Sequence, residues 1–347
     1  MSLLLYGCYG YTGRLLLDEA LRTGLRPILA GRNRDEVEAM ARTHALPSRV
    51  FPLDDPQAIE LGGVTAVLHS AGPFSKTAAP MLEACLRAGT HYLDVTGEIA
   101  VFEALAARDA EAKARGIMVL PGVGFDVVPS DCLAAHVAAK VPGASELTLA
   151  ISTPRLTSQG TALTMLENAG AGGAVRRDGR IIGIPAGARE RDVDFGDGPR
   201  RCVAIGWGDV ATAYHSTKIP DIEVYMRAPW TMRAGLRALG YVRRLATNAR
   251  VRRFVARRIK AGPAGPSDAD RADGWSRVYA EARAPDGRHA AARLTAPEAY
   301  TLTAMTGIRV AAAALAGDVR LGFQTPSLAY GADFILGVPG VVRTDVA

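Results

Sequence analysis

Three glycines set the first piece of chemistry in this chain. Gly7-Cys-Tyr9-Gly10-Tyr11-Thr12-Gly13 places a glycine at every third position, directly after the apolar run 3–7 and directly before a helical pattern. In that context each glycine has a task. Gly7 permits a tight turn, Gly10 leaves no Cβ where backbone meets a pyrophosphate, and Gly13 lets helix and strand pack closely. The helix start then offers N–H groups and a partial positive charge to phosphate. Gly7, Tyr9, Gly10, Tyr11, Thr12 and Gly13 are therefore candidate contacts for a dinucleotide.

The end of the second strand selects between dinucleotides. An enzyme using NAD usually carries Asp or Glu there, to hold the ribose 2′-hydroxyl. This chain reads Leu29-Ala-Gly-Arg32-Asn33-Arg34, with no acid before Asp35. A guanidinium at Arg32, with Asn33 beside it, suits a 2′-phosphate, so NADP(H) is the expected cofactor. Asp54, after the third strand, is placed to reach the adenine edge, with a helix N-cap as the alternative. Ser70-Ala71-Gly72-Pro73-Phe74 ends the fourth strand, where open α/β sheets bind ligands, and should lie along the nicotinamide half.

Reduction also needs a proton source near the hydride acceptor. Asp94 and Glu98 follow the fifth strand, and Asp126 lies in the Gly-flanked crossover after the sixth. Asp94, Glu98 and Asp126 are catalytic candidates; capping the following helix is the alternative for Asp94 and Glu98, and a cofactor contact or a plain turn for Asp126. Tyr214-His215-Ser-Thr-Lys218 matches the Y-x-x-x-K pair of short-chain dehydrogenases. That pair belongs on a helix of the dinucleotide domain, whereas this one precedes Ile219-Pro220 in what reads as a loop of a second domain. The assignment is rejected, and Tyr214 and His215 are kept as substrate-side acids. Ser158, Gly160, Thr161, Thr164 and Glu167 either line the substrate cleft or start an ordinary helix, and His91 reads as strand packing.

Positioning these residues requires alternating strands and helices. Strands are predicted at 3–7, 26–30, 49–53, 66–70, 91–95 and 117–121, with helices at 11–23, 34–44, 78–88 and 101–115 and a short one before the fourth strand. That alternation predicts a doubly wound parallel sheet over residues 1–125. From 126 to 320 the pattern changes to a helix at 130–140, strands at 145–152, 201–205 and 221–226, a hairpin over 277–294 turning at Pro285-Asp-Gly287, and a helix at 300–316. The fold class is thus α/β, a Rossmann domain followed by an α+β domain with a largely antiparallel or mixed sheet. Residues 321–347 form a C-terminal segment that could pack back on the Rossmann domain, and 262–273 reads as a flexible loop.

Composition excludes several classes. The 347 residues are 48% hydrophobic and 22% charged, an ordinary globular balance. Cys8, Cys85, Cys132 and Cys202 are far apart and form no C-x-x-C pair, so neither a metal site nor a redox dithiol is expected. No uncharged run reaches the roughly 18 residues of a membrane span, and no secretory signal precedes the glycines, so a cytoplasmic location is expected. The net charge of +6 is local: eleven Lys or Arg and no acid lie between Arg227 and Lys260, and 6 − 11 leaves about −5 elsewhere. That distribution argues against a nucleic-acid binder. Segment 227–260, with Trp230, Met232, Leu236, Leu239, Val242, Leu245 and Phe254 among its arginines, reads as a solvated helix face, an anionic-membrane contact or a dock for an acyl carrier.

Together these motifs resemble the saccharopine dehydrogenase-like family of NADP-binding proteins. The matching pieces are the glycine turn, Ala30-Gly-Arg32-Asn33, Ser70–Phe74, Ala88-Gly-Thr-His-Tyr-Leu-Asp94-Val-Thr-Gly-Glu98, Gly122-Val-Gly-Phe-Asp126-Val-Val-Pro129-Ser-Asp131 and Gly322-Phe-Gln-Thr-Pro-Ser-Leu-Ala-Tyr-Gly331. The resemblance implies a Rossmann domain plus an α+β domain with a mixed sheet. Its members include saccharopine enzymes and enoyl reductases of polyketide or lipid intermediates; the chain is shorter than most of the former, which points away from amino-acid substrates. The expectation is an NADP(H)-dependent oxidoreductase reducing a C=C, C=O or C=N bond of a small or acyl-thioester metabolite. The alternative is a non-catalytic NADP(H) sensor or docking protein. A homodimer is expected by analogy.

Overall fold

Short apolar tetrapeptides buried on both faces make the first sheet. In the computed structural model, which describes residues 1–153, 158–168, 172–231, 233, 235 and 249–346, Leu3–Tyr6 forms β1 and all four of its side chains are buried. Beside it run β2 (Ile28–Gly31), β3 (Ser48–Val50), β4 (Ala66–His69), β5 (His91–Asp94) and β6 (Met118–Leu120), and a late strand, β15 (Gly322–Phe323), joins the edge. Every pairing is parallel, in the order β15-β6-β5-β4-β1-β2-β3. Strand order reverses between β1 and β4, which is where such sheets open a crevice beyond their carboxyl ends.

The helices of this unit are α1 (Tyr11–Arg22), α2 (Arg34–His44), α3 (Phe74–Ala88), α4 (Ile99–Ala106) and α5 (Asp109–Ala114). One helix had been expected over 101–115; it is interrupted at Ala107-Arg108, where Arg108 forms ion pairs with Glu83 and Glu111. No helix precedes β4: turns fill that connection, so Asp54 caps nothing.

The first of two densely packed units comprises Met1–Val128 and Tyr300–Ala329, the second Pro129–Ala299 and Tyr330–Ala347. Nearly all of the helix Ala299–Leu315 thus lies in the first unit, although its sequence follows the second. Its small residues explain the fit. Thr306 Oγ1 donates to Val123 O at 2.7 Å, Phe125 N donates to Thr303 Oγ1 at 3.0 Å, and a Cβ on Gly307 would lie 2.9 Å from Leu16 Cδ2.

The second unit is built on a mixed sheet. Its main path runs β10 (Glu190–Asp194), β11 (Pro199–Ala204), β12 (Asp221–Arg227), β7 (Glu146–Ser152), β13 (Trp275–Arg283), β14 (His289–Pro297) and β16 (Val342–Val346). Only β7 and β12 are parallel on that path; the β13–β14 hairpin turns where Asp286-Gly287 was expected to turn it. β8 (Gly173–Arg177) and β9 (Arg180–Ile184) form a second hairpin that joins at β12. With them stand α6 (Val128–Lys140), α7 (Gln159–Asn168) and α8 (Asp209–Thr217). The stretch 262–273, expected as a loop, contains the short helix Asp268–Ala272, closed by a Ser267/Asp270 capping box.

Candidate functional site

The glycine turn has the geometry its sequence requires. Gly7 has φ +86°, and a Cβ there would lie 2.9 Å from Ala71 Cβ. A Cβ on Gly13 would sit 2.1 Å from Gly7 O, so only glycine lets α1 begin so close to β1. Gly10 differs from both: it is exposed, and its nearest neighbour would be 3.3 Å away. Its missing side chain serves the outside of the turn rather than the inside. Gly10 is also the N-cap of α1, with no side-chain cap and no acid in the first turn. Among the described residues the amides of Thr12 and Gly13 donate to nothing in the chain. A helix end left open in this way is an anion site.

Around the turn, Tyr9 lies over Gly31, whose Cβ would fall 2.5 Å from Tyr9 Cε1. Arg32 and Asn33 follow at the exposed carboxyl end of β2. Arg34 pairs with Glu38, and Arg14 pairs with Glu36, but Arg32 makes no hydrogen bond or ion pair among the described residues. A guanidinium held at a strand end without a partner suits a phosphate monoester. Asp54 follows β3 and is exposed, and its carboxylate makes no hydrogen bond or ion pair among the described residues.

Hydrogen bonds to Tyr6, Thr77 and Glu98 fix Ser70–Phe74 next to the glycines. Ser70 donates its N–H and its hydroxyl to Tyr6 O, both at 2.9 Å. Thr77 Oγ1 donates to Ala71 O at 2.8 Å, and a cis Gly72-Pro73 bond turns the chain into α3. The two oxygens of Glu98 accept from Phe74 N (2.9 Å) and Ser75 N (3.1 Å), closing the first turn of α3. Beneath the loop His69 is fully buried; burial pushes its pKa down to about 3, so the ring is neutral. Its edge meets Phe74 at 5.2 Å and Tyr6 at 5.4 Å, and its Nε2 has no hydrogen-bond partner among the described residues.

Two carboxylates at the strand ends have raised pKa values. Asp94 is fully buried and pushed up to about 6 by desolvation, yet Tyr92 Oη (2.5 Å), Thr96 N (2.9 Å) and Gly122 N (3.0 Å) all donate to it. It ties β5 to β6. Asp126 keeps a partly exposed edge, but the surrounding protein strips enough water to push its carboxyl up to about 7. A Cβ on Gly97 would lie 2.6 Å from Asp126 Oδ2, so that glycine makes room for the acid.

Tyr214 and His215 lie in the second unit, on α8 rather than in the expected loop; the Ile219-Pro220 that suggested a loop begins just after the helix ends. The buried Arg176 guanidinium stacks over the Tyr214 ring at 4.1 Å while donating to Val210 O and Gly179 O. Ser158 and Thr161 start α7 with their hydroxyls 3.3 Å apart; the side chains of Thr164 and Glu167 lie outside the described residues. So do Met232, Leu236, Leu239, Val242 and Leu245 of the basic segment. Among the described residues no His, Cys, Asp and Glu cluster could hold a metal ion, and no helix is long and apolar enough to cross a membrane. All four cysteines are free and buried.

Sequence reasoning passed over His69, Thr77, Thr303 and Thr306. His69 carried a signal, being the lone polar residue of an apolar strand ending at a ligand-binding edge. Thr303 and Thr306 carried none, because their partners Phe125 N and Val123 O are distant in sequence; Thr77 bonds the nearby Ala71 O and Pro73 O in the first turn of its own helix.

Comparison with known proteins agrees with this geometry. Residues 3–120 match the family model described as the saccharopine dehydrogenase NADP binding domain. A Mycobacterium tuberculosis protein provisionally named a trans-acting enoyl reductase is 31% identical over 159 residues, covering 42% of this chain and 38% of that protein. The trans-acting enoyl reductase of Mycobacterium leprae is 30% identical over 140 residues, 38% of this chain and 34% of that protein. The chain therefore spans little more than a third of the length of these curated relatives. Apo saccharopine dehydrogenase (L-Glu forming) from Saccharomyces cerevisiae superposes over 100% of both chains with a TM-score of 0.66 at 12% identity, a likeness of fold.

Proposed function

From the premise that residues 3–120 form a saccharopine dehydrogenase-type NADP-binding domain, we propose that the protein is an NADP(H)-dependent oxidoreductase. Its substrate is a small or acyl-linked metabolite, reduced at a C=C, C=O or C=N bond. The names of the mycobacterial relatives favour C=C among these. The observation that carries the reading is the open start of α1 beside an unpartnered Arg32.

Gly7, Gly10 and Gly13 with the amides of Thr12 and Gly13 would hold the pyrophosphate, and Arg32 with Asn33 the 2′-phosphate. Tyr9, Tyr11 and Asp54 border the adenosine end, and Ser70, Ala71, Gly72, Pro73 and Phe74 the nicotinamide end. NADPH supplies the hydride equivalent when bound there. Asp126, with its carboxyl near 7, holds a proton at neutral pH and delivers it to the atom left basic by reduction. Glu98, with both oxygens on α3 amides, positions the Phe74 loop. Tyr214 and His215, on α8, remain candidates for orienting the substrate. The proposal extends to a cytoplasmic homodimer, checked by its mass in solution.

NADPH oxidation followed against a panel of enoyl-, keto- and imine-bearing substrates, free and as thioesters, tests the activity. We expect turnover with the enoyl thioesters. Tight NADPH binding with no turnover across the panel would instead establish the non-catalytic sensor.

A further inference from the structure

The basic segment contains a surface that NADP(H) chemistry does not use. Ala249–Ala261 folds as a helix with six cations and no acid in the sequence ARVRRFVARRIKA. At 100° per residue, Arg252, Val255, Ala256 and Ile259 share one side, and all four are half-buried. Gln159, at the start of α7, donates its side-chain amide to Gly262 O at 2.7 Å and so holds the helix end to the second unit. The opposite arc is exposed. It presents Lys260, Arg253 and Arg257 along one strip and Phe254, Arg258 and Val251 along the next. Phe254 is 62% exposed, with the Arg258 guanidinium 5.7 Å from its ring centre.

We propose that this exposed arc of Ala249–Ala261 docks on an anionic lipid surface, with Phe254 entering the headgroup region and Arg253, Arg257, Arg258 and Lys260 pairing with lipid phosphates. Three features favour lipid over a protein partner. The arc is the outer face of a single helix, and among the described residues it forms a convex ridge rather than a groove for a partner's side chains. Its charge is of one sign, which suits a uniformly anionic plane; protein interfaces set their register with both signs. An exposed phenylalanine between guanidinium groups is the composition of a helix lying in the interface plane. Docking of this kind keeps a reductase beside substrates carrying long acyl chains, yet it stands or falls independently of the reaction.

The test is co-sedimentation of the full-length protein with vesicles of phosphatidylcholine alone or mixed with phosphatidylglycerol. We expect partition into the anionic vesicles only, weakened by salt. The double variant Arg253→Glu/Arg257→Glu should lose at least tenfold in partition, since each cation near such a surface is worth about fivefold. Phe254→Ser should lose partition while keeping its cations. Both variants alter exposed side chains, so their melting temperatures and NADPH affinities should stay at the wild-type values. Equal binding to neutral vesicles, or undiminished binding by the double variant, would overturn the proposal. So would binding of an acidic acyl carrier protein, abolished by the double variant, in the absence of any vesicle binding.

Discussion

Asp126 is the residue on which the proposed chemistry turns. An ordinary aspartate is ionised above pH 4, but this carboxyl, pushed up to about 7, keeps much of its proton at neutrality. If the protonated form is the acid, kcat falls as pH rises through about 7. Asp126→Asn should lower kcat by about 10²–10⁴-fold and flatten that profile, with NADPH affinity retained. A wild-type profile flat from pH 6 to 8 would remove Asp126 from the reaction. Stability should follow the same sign. A pKa raised in the fold gives stability that is complete below the unfolded value of 3.8 and lost as pH rises through the folded value. Asp94, at about 6, adds to that trend, so the melting temperature should decline between pH 4 and 7 and decline less in Asp126→Asn. The crossover position of Asp126 could be read from Gly122 to Pro129 in the sequence. Its elevated pKa could not, because it depends on the room made by Gly97 and on water excluded by distant residues.

At the scale of elements, the strand–turn–helix of β1 and α1 makes a prediction that separates folding from binding. Gly13→Ala puts a Cβ 2.1 Å from Gly7 O and 2.9 Å from Cys8 backbone atoms, which cannot yield as a flexible side chain would. Overpacking of this kind costs about 1–3 kcal/mol, so calorimetry should show a lowered melting temperature together with lost NADPH binding. Gly10→Ala adds its methyl to an exposed position and should melt like wild type while binding NADPH more weakly. Equal effects from the two variants would contradict these roles. This part of the fold was legible because glycines and apolar tetrapeptides mark its elements. Three of the edge strands were not. β10 (ERDVD) and β16 (VRTDV) show no apolar run, and β15 has two residues. The β8–β9 hairpin could have been found from Asp178-Gly179, a turn dipeptide between two strand-like runs. The break between α4 and α5 carries neither glycine nor proline, so nothing local announced it.

For the whole molecule, the chain leaves the dinucleotide unit at Val128, builds the mixed sheet, and returns from Tyr300 to Ala329 to complete the first unit. The sequence pattern placed the helix at 300–316 in the second domain and expected only the segment from 321 to pack back on the first. The helix Ala299–Leu315 buries residues on most of its sides, and the close packing of Thr303, Thr306 and Gly307 fixes it in the first unit. The unit it completes carries the whole proposed cofactor-binding set, from the glycine turn through Arg32 to the Phe74 loop. The most direct measurement is therefore fluorescence titration of the intact protein with NADPH and NADH, repeated on Arg32→Ala. A charge-assisted contact to the 2′-phosphate is worth about 1.5–3 kcal/mol, so NADPH should bind at least tenfold more tightly than NADH, and Arg32→Ala should erase the difference. NADH binding as tightly as NADPH, or a preference that survives in Arg32→Ala, would contradict the NADP(H) site at its centre.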